Sequence, residues 1–63
     1  MTVNGFLKTI DENTEVTFST KRYGFMWVGK VRFITTQFLP SFYEKQVLST
    51  STDKYGNISV VIE

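Results

Sequence analysis

The sequence predicts a small α+β protein: a single-layer antiparallel sheet of about four strands in two hairpins, covered by an N-terminal helix and a short helical crossover. Val, Ile and Thr make up 20 of the 63 residues and alanine is absent, a composition that favours strands over helices. Six Phe, three Tyr and one Trp supply the large apolar side chains that so short a chain needs for a core. We therefore expect a single domain that spans residues 1–63.

The first predicted element is an amphipathic helix that begins after Thr2, a residue type that commonly caps helix N-termini. Its apolar residues recur at the helical positions i, i+3, i+4 and i+7, namely Val3, Phe6, Leu7 and Ile10. A helix of this length does not persist alone in water. We expect it to dock on the sheet.

The first predicted hairpin begins with a strand over Glu15–Thr20, in which Val16 and Phe18 point to one face. The residues that follow lack an apolar pattern and end at Gly24, which predicts the turn. The second strand is predicted to run from Phe25 to about Ile34. The turn carries two adjacent basic residues and therefore has a positive charge.

Side-chain alternation divides this second strand into two faces. The set predicted to face the core comprises Phe25, Trp27, Val31 and Phe33, together with Gly29. The set predicted to face outward comprises Met26, Val28, Lys30, Arg32 and Ile34. Glycine inside a strand makes room for a helix or an aromatic ring, or marks a bulge, and we favour packing as its role.

The second half of the chain predicts a short helical crossover and a second hairpin. Pro40 suits the first position of a helix, where its missing N–H is not needed. The hairpin strands are Val47–Thr52 and Ile58–Ile62, separated by a turn at residues 53–57. The earlier of these strands has no apolar alternation, so the sequence leaves open which of its faces is buried.

The composition argues against an enzyme. Without His or Cys the chain has no imidazole for proton transfer near neutral pH and no thiolate for catalysis or metal binding. Its six acidic residues fall in predicted turns, at strand ends or at the last position, which is unlike a paired-carboxylate site. The four glycines are isolated, so no phosphate-binding loop is predicted. We expect no catalytic residue, cofactor, metal or small-molecule substrate.

The placement of charge suggests a binding surface. Between Val16 and Tyr43 there are four basic residues and no acidic one, whereas the other three lysines stand against all six acidic residues. The candidate interaction face comprises Lys21, Arg22, Tyr23, Met26, Val28, Lys30 and Arg32. An ordinary solvated sheet face has the same composition, so the patch is a hypothesis.

The expected partner is another protein or a second copy of the chain, with strand pairing as one route to a homodimer. Nucleic acid is the alternative, because clustered cations and an exposed tyrosine also suit phosphates and bases. We expect no secretion signal, because residues 1–10 lack its apolar core, and no apolar run reaches the ~18 residues that a spanning helix needs. Together with the absence of Cys, this favours a cytoplasmic protein that does not bind membranes.

Much of the chain resembles short uncharacterised proteins of phages, plasmids and other mobile elements of Gram-positive bacteria. The resemblance lies in a leading amphipathic segment, the strand entry at Glu12–Val16, the Gly-Lys-Val at Gly29–Val31, and the closing hairpin from Val47 to Ile58. It implies a setting in which small proteins bind and inhibit or redirect a host macromolecule, including defence nucleases. It implies no catalytic activity.

A shorter run, Lys21–Met26, resembles the nucleic-acid-binding signature of cold-shock proteins. Arg22 stands where that family has its first glycine, and the second family motif, which contains histidine, is absent. The aromatic platform that binds single strands in that family is therefore not reproduced. We interpret this run as coincidental.

Overall fold

The computed structural model describes residues 1–36, 38 and 40–63 and has the predicted α+β architecture. In chain order the elements are helix α1 (Val3–Leu7), strands β1 (Glu15–Thr20) and β2 (Gly24–Lys30), a 3₁₀ helix (Val31–Thr36), helix α2 (Pro40–Tyr43), and strands β3 (Val47–Thr52) and β4 (Ile58–Ile62). The N-terminal helix, both hairpins and the short helix that begins at Pro40 are confirmed.

The four strands form one sheet in the order β2-β1-β4-β3. Each hairpin is antiparallel, as predicted, but the two hairpins meet through β1 and β4, which run parallel. The sheet is therefore mixed, where an all-antiparallel sheet was expected. The apolar alternation of a strand is the same for either direction of pairing, so the sequence pattern does not distinguish the two.

The core lies on one face of the sheet. The two central strands supply Val16, Phe18, Val60 and Ile62, each with an exposed fraction of 0%. The covering elements contribute further buried residues: Val3 and Phe6 from α1, Ile34 from the 3₁₀ helix, and Phe42 from α2. In the described part of the chain the buried residues are all apolar, which is consistent with stabilisation by packing alone.

Helix α1 is fixed by a hydrogen bond at its N-cap and by backbone hydrogen bonds to a later segment of the chain. The Thr2 hydroxyl accepts a hydrogen bond from the Gly5 N–H at 3.1 Å, which confirms Thr2 as the N-cap. The Val3 N–H donates to the Lys45 carbonyl at 2.9 Å, and the Val47 N–H donates to the Met1 carbonyl at 2.8 Å. These contacts place the start of the helix beside the residues that lead into β3.

The prediction that the second strand continues to Ile34 is wrong, because the strand ends at Lys30 and a 3₁₀ helix follows. The Val31 N–H donates to the Thr14 carbonyl and the Arg32 N–H to the Glu12 carbonyl, so the loop before β1 turns the chain out of the sheet. In a 3₁₀ helix, residues three apart lie on the same side. Val31 and Ile34 therefore both contact the core, and Ile34 is 1% exposed instead of facing outward.

The predicted faces of β2 are also partly wrong, because the strand contains a β-bulge. Phe18 pairs with Trp27 but Ser19 pairs with Phe25, which leaves Met26 as the extra residue. A bulge reverses the side-chain alternation beyond it. Phe25 is consequently 66% exposed on the face away from the core, while Met26 packs partly against the core. Phe33, also predicted to be buried, lies in the 3₁₀ helix and is 56% exposed.

Gly29 makes room for an aromatic ring, which is one of the two roles expected for it. A Cβ atom at this position would lie 2.7 Å from Cζ2 of Trp27, so the indole lies directly over the glycine. The indole is also held by neighbouring rings, with centroids 6.4 Å away at Phe18 and 5.9 Å away at Phe38. It has little room to move aside.

We therefore expect Gly29→Ala to destabilise the protein by about 1–3 kcal/mol through overpacking, although alanine is otherwise the better strand residue. The matched control is Gly5→Ala. A Cβ there meets Thr2 Oγ1 at an ordinary 3.5 Å, so this change should stabilise the helix by about 0.5–1 kcal/mol. Urea unfolding followed by Trp27 fluorescence measures both. A Gly29→Ala variant as stable as the parent would contradict the packing argument.

Candidate interaction surfaces

The side of the sheet opposite the core carries no covering element in the described part of the chain. Its two cross-strand rows follow from the register: Phe25, Ser19, Val61 and Ser49 in one, and Val28, Thr17, Ser59 and Ser51 in the other. We call these eight residues the open face. None is charged. Phe25 and Val28 stand out as large apolar side chains that are 66% and 46% exposed.

Charge borders the open face without entering it. Glu15 and Lys30 are register partners at the end of β1 and β2 beyond the Val28 row, where opposite charges on neighbouring strands attract each other weakly. Depletion of charge at the centre with charged residues at the margin is the composition typical of protein–protein interfaces. Apolar and hydroxyl side chains alternate in the Phe25 row, and the Val28 row has one apolar and three hydroxyl side chains. The surface therefore offers both apolar contact and hydrogen bonding.

A second surface is the turn between β1 and β2, which presents Lys21, Arg22 and Tyr23; we call it the hairpin tip. The Tyr23 N–H donates to the Thr20 hydroxyl at 2.8 Å, and the Lys21 N–H donates to the Ile62 carbonyl at 3.0 Å. The Arg22 guanidinium carbon lies 5.5 Å from the centroid of the Tyr23 ring, within the range of a cation–π contact. Tyr23 is 79% exposed and available to a partner.

A concavity of about 410 Å³ lies beside the hairpin tip. Its lining residues are Thr20, Arg22, Tyr23, Met26, Lys45 and Glu63. Because β1 and β4 pair in parallel, their carboxyl-terminal ends lie side by side at the same end of the sheet. This is why Thr20 and Glu63 both line the concavity. The Glu63 carboxylate accepts a hydrogen bond from the Gln46 N–H at 2.9 Å.

The structure separates the predicted interaction face into several places. Lys21, Arg22 and Tyr23 form the hairpin tip, as expected of the turn. Val28 lies on the open face, and Lys30 lies at its margin. Met26 instead packs against the core, because it is the bulge residue.

Arg32 lies away from β2, in the 3₁₀ helix. The prediction that Met26, Val28, Lys30 and Arg32 share one face is therefore wrong. Lys21 and Arg22 precede β2, whereas Lys30 ends it and Arg32 follows it. This strand has seven residues and measures about 20 Å, so the four cations do not form one patch.

Arg32 has an internal role. Its Nη1 donates to Asn13 Oδ1 at 3.0 Å, and its guanidinium carbon lies 5.6 Å from the centroid of the Phe33 ring. Together with the bond from its own N–H to the Glu12 carbonyl, these contacts connect the 3₁₀ helix to the loop before β1. The side chain is exposed, and its Nη1 group is engaged by the chain itself.

Two of the six acidic residues support turns. Asp11 Oδ1 accepts a hydrogen bond from the Asn13 N–H at 2.7 Å. Asp53 Oδ1 accepts two, from Tyr55 at 2.8 Å and Asn57 at 3.0 Å, a pattern typical of Asx turns. Within residues 1–36, 38 and 40–63, no three His, Cys, Asp or Glu side chains are grouped as metal ligands.

Sequence reasoning missed Phe25 and Val61 as members of a shared surface. Phe25 was assigned to the core, because its spacing from Trp27 fits a regular strand, and only the bulge reverses it. Val61 lies between two buried residues of β4, and its outward position does follow from alternation. The alternation in β4 was therefore the sequence signal that could have identified Val61 as an outward-facing residue.

No protein-family model, curated protein or solved structure matches the chain. Among the helices that the structure describes, none combines the length and hydrophobicity needed to cross a membrane.

We predict that Arg32 and Asn13 are energetically coupled. In a double-mutant cycle of Arg32→Ala and Asn13→Ala, the coupling free energy should be about 0.5–1 kcal/mol, since one hydrogen bond to a charged group is shared. The control cycle pairs Asn13→Ala with Arg22→Ala, which lies at the other end of β2, and should be additive within roughly 0.3 kcal/mol. Unfolding by urea gives both values. Additivity of Arg32 with Asn13 would show that the connection contributes nothing to stability.

Proposed function

We propose that this chain is a non-enzymatic protein-interaction module that binds its partner through the open face and the adjoining hairpin tip. The observation that carries the proposal is the composition of the open face, eight uncharged side chains that include the exposed Phe25 and Val28. Removing exposed apolar surface from water favours association. Contiguous exposed apolar area on a small protein commonly marks an interaction site.

The size of the molecule sets how much of it a partner must cover. A standard interface buries about 800 Å² on each side, roughly a fifth of the 4366 Å² accessible surface of this chain. The eight open-face residues occupy one side of a body measuring 28 × 22 × 19 Å. The contact must therefore extend past the Phe25 row, and the hairpin tip, which follows that row along the hairpin, carries the exposed Tyr23.

Nucleic acid is the second candidate, and the hairpin tip favours it. Lys21 and Arg22 are adjacent and exposed beside Tyr23, a combination that suits a phosphate and a stacked base. The open face supports this candidate less, because none of its eight residues is basic. The other two cations of the central segment lie about 20 Å along β2, and Arg32 is engaged by Asn13.

The biological setting is part of the proposal. The resemblance of Glu12–Val16, Gly29–Val31 and Val47–Ile58 to small mobile-element proteins supports a cytoplasmic protein that binds a host protein and inhibits or redirects it, including as an anti-defence factor. The absence of His and Cys from the sequence supports a role without catalysis. A partner of this kind is bound through shape and surface chemistry.

The test replaces open-face residues with charged ones. Phe25→Asp and Val28→Asp should each weaken the affinity for a partner captured from host lysate by at least tenfold, because a carboxylate then replaces an exposed apolar side chain of the contact. Circular dichroism establishes that the variants are folded.

Tyr55→Asp is the matched control for a third variant, Tyr23→Asp. Both tyrosines lie in hairpin turns beside a cation and are 75% and 79% exposed, but Tyr55 lies at the opposite end of the sheet. Tyr23→Asp should weaken binding and Tyr55→Asp should not. Unchanged affinity in both open-face variants would overturn the proposal.

The nucleic-acid alternative is tested by titrating short single-stranded DNA and RNA at several salt concentrations. If phosphate contacts dominate, affinity falls steeply as salt rises and is lost in Lys21→Glu/Arg22→Glu. We expect no measurable binding at 150 mM salt. Tight, salt-sensitive binding that requires the hairpin tip would replace the protein-binding proposal.

A further inference from the structure

Among the strands that the structure describes, none pairs with the outer edge of β3. This strand ends the sheet beyond β4, and five of its six residues are exposed. Residues 49–52 read Ser-Thr-Ser-Thr, with no charge, proline or glycine. Sheet edges of soluble proteins usually carry a lysine, a proline or a bulge that prevents pairing with another strand, and this stretch has none of them.

The first part of the same edge is already occupied by the chain itself. Thr2 forms an isolated antiparallel bridge with Gln46, and the Val47 N–H donates to the Met1 carbonyl at 2.8 Å. A bulge at Leu48 then separates this covered part from the rest of the strand. The free edge is therefore confined to the regular stretch of four residues that follows the bulge.

The hydrogen-bond pattern shows which backbone groups of that stretch are directed outward. The Asp53 N–H donates to the Asn57 carbonyl at 2.9 Å, and both residues continue the register of β3 with β4. In an antiparallel pair, residues alternate between bonding their neighbour and pointing away from it. Ser49 and Ser51 thus bond β4, whereas the N–H and C=O groups of Thr50 and Thr52 face outward.

The opposite edge of the sheet, β2, is less suited to pairing. Its bulge at Met26 interrupts the edge in the middle, Gly29 lies within the remaining stretch, and Lys30 carries a charge at its end. These are the features that discourage strand addition. The β2 edge therefore has features that discourage strand addition, whereas residues 49–52 of the β3 edge have none.

We propose that two copies of this chain pair antiparallel through β3 and form a continuous eight-stranded sheet. The two-fold axis passes between the Ser51 residues, and Thr50 of each copy exchanges both backbone hydrogen bonds with Thr52 of the other. This register uses all of the outward-facing groups of residues 50 and 52. A two-fold contact requires a self-complementary surface, and an uncharged Ser-Thr strand meets its own copy without like-charge repulsion.

The same register agrees with the charges that flank the strand. Around the axis, Asp53 of one copy lies opposite Ser49 of the other, and Lys54 lies opposite Leu48, so no two like charges face each other. Leu48 is 49% exposed and would be partly covered. The paired segment is short, and its area falls below the ~1,200 Å² of a standard interface, so we expect a reversible dimer that forms at high micromolar concentration.

The inference concerns the backbone edge of β3, whose Ser51 side chain also belongs to the open face, and its failure is distinguishable from failure of the proposed function. The Ser51 side chain lies at the outer margin of the open face, on the edge strand opposite to Phe25 and Val28. Failure of dimerisation would leave the binding tests at Phe25 and Val28 unchanged. Loss of partner binding in those variants would equally leave the dimer intact.

The test is sedimentation equilibrium of the 7.3 kDa chain over a concentration series, with charges placed on the axis. Ser51→Lys should weaken self-association at least tenfold, because two ammonium groups then face each other across a pair with Cβ atoms about 5 Å apart. Ser51→Glu should do the same. An equimolar mixture of the two variants should restore a dimer, since opposite charges then meet.

Ser19→Lys is the matched control, because it adds the same charge to the same face of β1. Two strand spacings separate it from β3, so in the dimer the two added charges lie about 24 Å apart, well beyond the ~8 Å screening length at physiological salt. It should leave the dimer unchanged. A parent chain that stays monomeric at 1 mM would overturn the inference, as would a dimer that Ser51→Lys does not weaken or a variant mixture that does not re-form it.

Discussion

One-sided burial of the two central strands is the constraint on which the rest of this structure depends. Val16 and Phe18 of β1 and Val60 and Ile62 of β4 are fully buried on a single face, and all of the covering helices that the structure describes pack there. A chain of 63 residues has little apolar surface for a second layer. The other face and the outer strand edges consequently remain in contact with solvent.

An aromatic group determines how β2 joins this arrangement. Trp27 lies over Gly29, and its ring packs near Phe18 and Phe38, while Phe38 stacks on Phe42 with centroids 4.2 Å apart. With Trp27 fixed toward the core, the bulge at Met26 directs Phe25 to the opposite side. The same irregularity thus completes the core and supplies the largest apolar side chain of the open face.

Much of this fold could be predicted from periodicity and turn chemistry. The strands around Val16 and Val60 alternate clearly, Thr2 caps a helix, and Pro40 begins one. The bulge could not be predicted, because an extra residue leaves the local alternation intact on each side of it. The end of β2 could not be predicted either, because Val31 and Ile34 are compatible with a strand or a 3₁₀ helix. The 3₁₀ helix depends on hydrogen bonds to carbonyl groups of the distant loop at Glu12 and Thr14. The candidate interaction face was wrong for the same two reasons: the bulge moves Met26 to the core side, and the early end of β2 places Arg32 in the 3₁₀ helix.

The attachment of α1 to the second half of the chain has a kinetic consequence. Both β-hairpins consist of neighbouring segments and can form locally, whereas Val3 bonds to Lys45, and β1 pairs with β4 across some forty intervening residues. Loop closure over such separations slows folding. We therefore expect the two hairpins to form first, and the docking of α1 and the pairing of β1 with β4, which close loops of similar length, to follow as the slow steps.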